Sequence, residues 1–509
     1  MSFLYAHGSQ LIAYNKRNKN LKTTKKTIMS QSINKSAVIK TTIAALVAIV
    51  LWILPASALG LPNISPVEHR VIAVFALALI LWFTEAIPSW KTSILIIVVL
   101  LLMCSDQALI FLQTGGKEAF KEIALSHKTI MGSFADPTIM LFLGGFVIAI
   151  MASKMGIDAQ LARILLAPFG TKSKYVLLGF LMVTGVFSMF ISNTATAAMM
   201  LTFLAPVLRQ LPSNNKGRIA LILAIPIGAN IGGIGTPVGT PPNAIALKYL
   251  NESLGFNIGF FDWAIVMVPF VIVMLLLSWV LLLKLFPFTE KHIHLNIEGK
   301  TAERSQLIIS YITIGLTILL WLTDKVTGIN ANTVALIPIA IFCVAGLFGK
   351  KELKEIDWDV IWLVAGGFAL GTALDKSGLA AHLVGAIPFG QWSPMIVIIG
   401  AGLICWFFSN IISNTATAAL MIPVMVAVGT GMGGVLEPYG GILTLILGVT
   451  LSASLAMILP VSTPPNAIAF STGMVDVKHM RTVGIIVGVV GLVIAFTMII
   501  FVGKMGIML

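Results

Sequence analysis

The chain has 509 residues, of which 58% are hydrophobic and 10% are charged, and its formal net charge is +13. With a mean hydropathy of +0.98, it cannot present a water-soluble surface over this length, which excludes a soluble globular protein. The positive charge is typical of the cytoplasmic loops of membrane proteins. We therefore predict a polytopic protein embedded in a lipid bilayer, with no nucleic-acid partner.

The chain begins with a basic tail, residues 1–40, in which every charged residue is a lysine or an arginine. No small-residue cleavage pattern follows a short apolar core, so the tail is not typical of a signal peptide. The positive-inside rule places it in the cytoplasm. Most of the other basic residues fall on the same side if residues 175–208 and 393–430 do not cross the membrane. The sequence then predicts an N-terminus inside and a C-terminus outside.

Apolar runs long enough to cross a membrane follow in chain order. A spanning helix needs about 20 apolar residues, and these runs are continuously apolar where barrel strands would alternate, so helices are predicted. About eleven runs meet this criterion. They lie at residues 41–59, 69–86, 93–104, 138–155, 218–247, 262–286, 307–323, 332–348, 359–375, 440–470 and 483–503.

The sequence SNTATAA occurs twice, at residues 192–198 and 413–419. One copy lies in each of the two apolar stretches that are taken not to cross the membrane, 175–208 and 393–430. Each stretch is long enough to enter the membrane and return as a helical hairpin. Non-helical backbone at membrane depth is tolerated only when it is buried in protein or lines a cavity. The polar tips of two re-entrant hairpins are therefore predicted to form a site.

A second pair of motifs lies in nearly the same register. TPPNAIA occupies residues 240–246 and returns at 463–469, and LGGF at 143–146 matches AGGF at 365–368. Paired prolines remove two backbone donors, so the helices at 218–247 and 440–470 should break there. The predicted orientations of the two copies are opposite. Inverted repeats with matching polar interruptions are typical of secondary transporters with a midplane site.

Other classes of function lack their signatures. An enzyme would need an intramembrane acid, base or nucleophile set, and a pump a GxxxxGK[ST] phosphate-binding loop; neither is present. A channel would need a continuous lined pore. The fold class predicted is thus an all-α polytopic membrane protein of about eleven helices, with an inverted repeat, two re-entrant hairpins and two broken helices.

Paired SNT motifs, each followed by a broken helix with a TPPN turn, resemble the divalent anion:sodium symporter family over residues 41–509. The resemblance implies Na⁺ as the coupling ion and a small dicarboxylate anion as the substrate. It implies a first sodium site formed by Ser188, Ser192, Asn193 and a backbone carbonyl near Gly239. It implies a second sodium site formed by Ser409, Ser413, Asn414 and the carbonyl of Ser462. The substrate carboxylates would meet Asn193, Thr194, Asn414 and Thr415, with Thr463 and Pro464 nearby.

The resemblance also implies a homodimer. The mostly short loops indicate a bacterial protein, and so an inner-membrane location. For the mechanism, we expect a moving block. The block would comprise residues 175–286 and 393–509, each with a hairpin and a broken helix, and the scaffold residues 41–174 and 307–392. A C4-dicarboxylate such as succinate is favoured as substrate, while citrate and sulfate stay open. A sodium-independent exchanger of the same family is the alternative to symport.

Overall fold

The computed structural model describes residues 35–61, 63–295, 302–386 and 392–507. Within these ranges the secondary structure is helical, and the only extended pairings are two isolated bridges, Ser105 with Leu125 and Lys172 with His292. This confirms the predicted all-α class. Most of the predicted basic tail, residues 1–34, lies outside the described residues.

The principal helices of the first half alternate between long apolar segments and shorter connecting helices. They are α1 (Lys35–Ile53), α2 (Pro66–Thr84), α3 (Ser89–Cys104), α4 (Pro137–Met155), α5 (Ile157–Leu166), α6 (Ser173–Ser188), α7 (Asn193–Gln210), α8 (Gly217–Gly232), α9 (Pro241–Lys248) and α10 (Phe260–Leu285). Short turns of helix at Lys117–Ile123 and His127–Gly132 lie between α3 and α4.

The second half repeats the pattern. Its principal helices are α11 (Arg304–Leu322), α12 (Leu336–Val344), α13 (Trp358–Lys376), α14 (Leu379–Ala386), α15 (Pro394–Ser409), α16 (Asn414–Met432), α17 (Gly441–Ser454), α18 (Pro464–Ser471) and α19 (Val477–Met505). The connecting helices α5 and α14 follow glycines with left-handed backbone, Gly156 and Gly378, which are 222 residues apart, as the repeat predicts.

Nine helices among the described residues are long and apolar enough to span a membrane. The predicted run at 93–104 is shorter, because α3 has 16 residues. The run at 332–348 consists of a short turn, Ala331–Val334, and α12. The run at 440–470 is also broken, because α17 has 14 residues. The sequence count of about eleven therefore included three segments that are apolar but too short or too broken to count as single spans. One of the nine candidate spans, Asn414–Tyr439, lies largely in the stretch 393–430 that was predicted not to cross the membrane.

Both helices with a TPPN motif break where predicted. The paired prolines Pro241 and Pro242 begin α9 instead of interrupting it, because a proline is tolerated in the first turn, where its missing donor has no helical partner. Pro464 and Pro465 begin α18 in the same way. The chain is non-helical immediately before each pair, at 236–240 and 455–463.

The helices that carry the motifs lie at the centre of the molecule, and α1 lies at its edge. The span that contains α8 is 89% buried, whereas that of α1 is 6% buried. α8 packs against α6 so closely that a Cβ on Gly232 would overlap the backbone of Gly185. α8 also contacts α18 of the other half, and α9 contacts α17. The broken helices of the two halves thus interlock.

Candidate functional site: a cavity between four helix interruptions

Four interruptions of the helices, the two turns that carry SNT and the two breaks before the TPPN prolines, meet around one cavity of about 410 Å³. α6 and α7 are separated by residues 189–192, and α15 and α16 by residues 410–413. The cavity is lined by most of the residues that the sequence analysis selected: Ser192, Asn193, Thr194, Gly239, Ser413, Asn414, Thr415, Ser462, Thr463 and Pro464. Ser188 and Ser409 lie behind this lining and are fully buried.

No described residue that lines this cavity is a lysine, an arginine or a histidine. Four helices, α7, α9, α16 and α18, begin at its wall, and helix N-termini carry partial positive charge. Thr194 is exposed and Thr415 half-exposed at this wall. The cavity therefore offers an anion hydroxyl groups, amides and helix N-termini. Two carboxylates, Asp357 and Asp359, also line it.

The first interruption assembles a cluster of oxygen atoms. Ser188 Oγ lies 2.8 Å from the carbonyl oxygen of Ala229 and 2.7 Å from the side-chain Oδ1 of Asn193. The same amide atom lies 3.1 Å from the carbonyl oxygen of Gly239 and 3.2 Å from that of Ala229. If the Asn193 amide turns its oxygen to this position, that oxygen, Ser188 Oγ and the two carbonyl oxygens form a cluster of four, as around a hard cation. If the amide turns its nitrogen to this position instead, the nitrogen donates hydrogen bonds to the two carbonyls.

The backbone at this cluster is glycine-rich because the chains approach closely. A Cβ on Gly233 would lie 2.5 Å from Asn193 Oδ1 and 3.1 Å from the carbonyl oxygen of Gly239. Any larger residue would therefore displace the cluster. The glycine-rich stretch before the first TPPN is in this way part of the site's geometry.

The second interruption repeats the arrangement. Ser409 Oγ lies 2.8 Å from Asn414 Oδ1 and 2.9 Å from the carbonyl oxygen of Ala453, either of which can accept its single proton. Ser462, which stands where the first repeat has Gly239, donates from its hydroxyl to the carbonyl of Asn410 at 2.9 Å. The two candidate ion sites thus share a serine, an asparagine and a carbonyl from the end of a broken helix.

Ser192 and Ser413 serve a different purpose from the buried serines. Ser192 Oγ accepts the backbone N–H of Ala195 at 3.3 Å, and Ser413 Oγ accepts that of Ala416 at 3.2 Å. Both are therefore N-caps, which satisfy donors that the start of a helix leaves free. Each hydroxyl retains capacity for one further ligand.

Sequence reasoning missed the asparagines of the TPPN motifs. Asn243 Nδ2 donates to the carbonyls of Gly233, Ile234 and Thr236 at 3.0, 3.2 and 2.8 Å. Asn466 Nδ2 donates to those of Met457 and Leu459 at 2.8 and 3.0 Å. These amides bind carbonyls that lie at the helix breaks, where the regular helical pattern of hydrogen bonds ends. The recurrence of the asparagine in both copies was the available signal.

The cavity adjoins a second one of about 370 Å³ that Ser192 and Asp357 also line. There Lys154 donates a hydrogen bond to Glu352 at 2.6 Å, which lowers the pKa of Glu352 to about 2. Burial, together with the neighbouring Asp359, raises the pKa of Asp357. The second cavity thus carries charges of both signs, with Lys154 and Lys351 beside Glu352, Glu355 and Asp357.

These features define a class: a multi-pass helical membrane protein with duplicated, discontinuous helices around a central polar cavity, as in secondary transporters. The sequence model of the citrate transporter (CitMHS) family matches residues 79–448. The chain therefore belongs to this family of transporters, as the resemblance to divalent anion:sodium symporters predicted, and it is not an enzyme.

The similar proteins are bacterial transporters. The chain is 30% identical to the sodium-dependent dicarboxylate transporter SdcS of Staphylococcus saprophyticus over 471 residues, 84% of this chain and 86% of that protein. It is 32% identical to an uncharacterized transporter of Haemophilus influenzae over 466 residues, 86% and 93% of the two chains.

Two solved structures share the fold. The Alcanivorax borkumensis YdaH transporter has a TM-score of 0.50 at 13% identity, over 74% of this chain and 88% of its own. Neisseria gonorrhoeae MtrF, described as an antimetabolite efflux pump, has a TM-score of 0.50 at 14% identity, over 81% and 94%.

Proposed function

We propose that the protein is a secondary transporter that imports a small dicarboxylate, such as succinate, together with sodium ions. The observation that carries this proposal is the lining of the central cavity, which among the described residues contains no basic side chain and two acidic ones, Asp357 and Asp359. A dianion bound there needs cations beside it, and oxygen clusters suited to cations lie directly behind the wall. The name of the Staphylococcus relative, a sodium-dependent dicarboxylate transporter, supports both ligands.

The first sodium ion would bind at the cluster of Ser188, Asn193 and the carbonyl of Gly239, with Ser192 at its edge. The structure adds the carbonyl of Ala229 as a candidate ligand that the sequence did not suggest. Hydroxyl, amide and carbonyl oxygens are the ligands that broken helices supply to sodium in transporters.

The second sodium ion would bind at Ser409, Asn414, the carbonyl of Ser462 and the edge contributed by Ser413. Ala453 adds its carbonyl here, as Ala229 does in the first half. Two similar cages on opposite sides of one cavity would hold two cations against a dianion.

The anion would lie between the tips, with its carboxylates on Asn193, Thr194, Asn414 and Thr415. Thr463 and Pro464 form the adjoining wall at the start of α18. The N-termini of α7 and α16 add favourable electrostatics for a carboxylate.

Coupling follows from differential affinity. Sodium ions bind first, neutralise the oxygen clusters and order the tips, and the anion then binds well only to the sodium-loaded state. With more than two sodium ions per dianion, each cycle moves net charge, worth about 2.3 kcal/mol per 100 mV for each charge.

We propose that the substrate is carried across the membrane by an elevator mechanism, in which one part of the protein moves against a fixed scaffold. Residues 175–286 and 393–509 would move as one block against a scaffold of residues 41–174 and 307–392. The scaffold would form the homodimer contact, in a bacterial inner membrane with the N-terminus in the cytoplasm. Both re-entrant hairpins belong to this proposal.

The test is uptake of labelled succinate by proteoliposomes with sodium or choline outside. We expect uptake only with sodium, with a Hill coefficient above one for sodium. Uptake that continues in choline and requires internal dicarboxylate would identify an exchanger instead. Competition by citrate and by sulfate, measured in the same vesicles, identifies the preferred anion.

A further inference from the structure

The broken helices of the two halves are joined by one side chain, Asn230, near the end of α8. Its Nδ2 donates to Thr463 Oγ1 at 3.1 Å and to Asn466 Oδ1 at 3.2 Å. All three residues are at least nine-tenths buried, and Asn230 and Thr463 both line the central cavity. Asn230 therefore connects the first half of the protein to the second half of the site.

The polarity of this connection is fixed by the helix break. Asn466 uses its Nδ2 to bind the carbonyls of Met457 and Leu459, so its Oδ1 must face Asn230. Because Asn466 Oδ1 is an acceptor, Asn230 must direct its donor group, Nδ2, toward it. Its orientation is thus set by the backbone of the second broken helix.

This orientation of Asn230 determines which hydrogen bonds the hydroxyl of Thr463 can form. Its oxygen accepts from Asn230 and also from the backbone N–H of Asn466 at 3.3 Å. A hydroxyl has two acceptor positions and one proton to donate. With both acceptor positions in use, the proton of Thr463 is left to point at another acceptor, and an anionic carboxylate in the cavity is such an acceptor.

The equivalent link in the other direction is missing. Ser188 and Ser409 donate to Ala229 and Ala453, so the residue after each of these alanines is equivalent, which pairs Asn230 with Ser454. α9 packs against α17 as α18 packs against α8. Yet Ser454 Oγ and Asn243 Oδ1 are both buried without a hydrogen-bond partner in the described part of the chain. The serine is too short to repeat the contact that Asn230 makes.

We propose that Asn230 is a positioning residue that sets the Thr463 hydroxyl as a donor to the substrate carboxylate, and so makes anion binding depend on contact between the two halves. This inference rests on the proposed function, because it assigns the anion to the cavity. It predicts an asymmetric site, in which the second TPPN turn holds the anion more firmly than the first.

The experiment compares Asn230→Ala with its repeat-equivalent control, Ser454→Ala, in proteoliposomes at saturating sodium. We expect Asn230→Ala to raise the KM for succinate about tenfold, the loss expected for one hydrogen bond to a charged group. The maximal rate should stay within about twofold, since the hydroxyl acts in binding. Ser454→Ala should leave KM unchanged. Equal effects of the two substitutions, or a loss of rate at unchanged KM, would overturn the assignment.

A double-mutant cycle separates positioning from general damage. Thr463→Ala should raise KM, and adding Asn230→Ala to it should raise KM little further, because the two residues act through one hydroxyl. Additive effects on KM would show that Asn230 acts by another route.

The four proteins of this cycle, which are the unmodified protein, Asn230→Ala, Thr463→Ala and the double variant, are also unfolded by heat in detergent without substrate. If the two substitutions change the unfolding temperature non-additively, the contact between Asn230 and Thr463 exists, whichever anion is carried. Additive changes in the unfolding temperature would refute the contact. If the unmodified protein takes up no dicarboxylate while this coupling is present, the proposed substrate fails and the bridge stands.

Discussion

At the residue scale, the serines of each half divide into two roles. Ser188 is fully buried and contacts Asn193 and the carbonyl of Ala229. Ser192, four residues later, is half-exposed and caps α7 through the N–H of Ala195. A sodium ion in the oxygen cluster would therefore rely on Ser188 more than on Ser192.

We predict that Ser188→Ala raises the sodium concentration for half-maximal uptake about tenfold, because a ligand to a charged group contributes about 1.5–3 kcal/mol. Ser192→Ala should mainly lower the stability of the protein, by about 1 kcal/mol, through loss of the N-cap. Sodium titration of uptake and thermal unfolding of both variants measure the two effects. A larger sodium defect in Ser192→Ala than in Ser188→Ala would contradict this division.

At the scale of elements, each broken helix is held open by its own asparagine. The Nδ2 of Asn243 lies within hydrogen-bond distance of three carbonyls at the end of α8, and that of Asn466 of two before α18. Unsatisfied carbonyls at membrane depth are costly, since no water replaces the missing donor. The TPPN motif thus supplies the break and the group that stabilises it.

Asn243→Leu should destabilise the protein by about 1–3 kcal/mol, because the carbonyl of Gly233 loses its side-chain donor. The carbonyls of Ile234 and Thr236 keep the N–H groups of Trp263 and Gly239 as donors. The measurement is the unfolding temperature in detergent. Asn257→Leu is the matched control, since Asn257 is exposed in the loop that follows. Equal unfolding temperatures for the two variants would refute the structural role of the Asn243 amide.

At the scale of the whole molecule, charged contacts join the proposed moving block to the proposed scaffold. Lys248, at the end of α9, forms ion pairs with Asp136 at the start of α4 and with Glu252. Lys325 forms a further pair with Asp262 of α10 at 2.9 Å. If the block moves past the scaffold, the pair between Lys248 and Asp136 must separate in each cycle.

This motion can be tested by cross-linking. In a Cys343→Ala background, which removes the exposed native thiol, a cleavable bifunctional maleimide should join Asp136→Cys to Lys248→Cys and stop uptake. Cleavage of the linker should restore uptake, and a monofunctional maleimide should leave it largely intact. Full uptake by the cross-linked protein would exclude relative movement of α9 and α4.

The helical class and the positions of the interruptions were predictable from the sequence, because both depend on local chemistry. Apolar runs require helices in a bilayer, and adjacent prolines end one helix and begin another wherever the chain folds. The repeat predicted that the polar tips form a site, the family resemblance selected the individual residues, and ten of these line one cavity. The number of spans was less predictable, because apolar composition does not show where a run such as 332–348 is interrupted.

Contacts across the two halves were decided only by the tertiary structure. Nothing in the letters around Asn230 indicates that its amide reaches Thr463, 233 residues away, while its repeat equivalent Ser454 reaches no partner in the described chain. The carbonyls of Ala229 and Ala453 were equally hidden, since any residue has a carbonyl and only packing selects which one faces a serine. Local sequence determined where the helices break. The interlocking of α8 with α18 and of α9 with α17 determined which freed groups meet, because side-chain hydrogen bonds across a fold depend on distances that only packing sets.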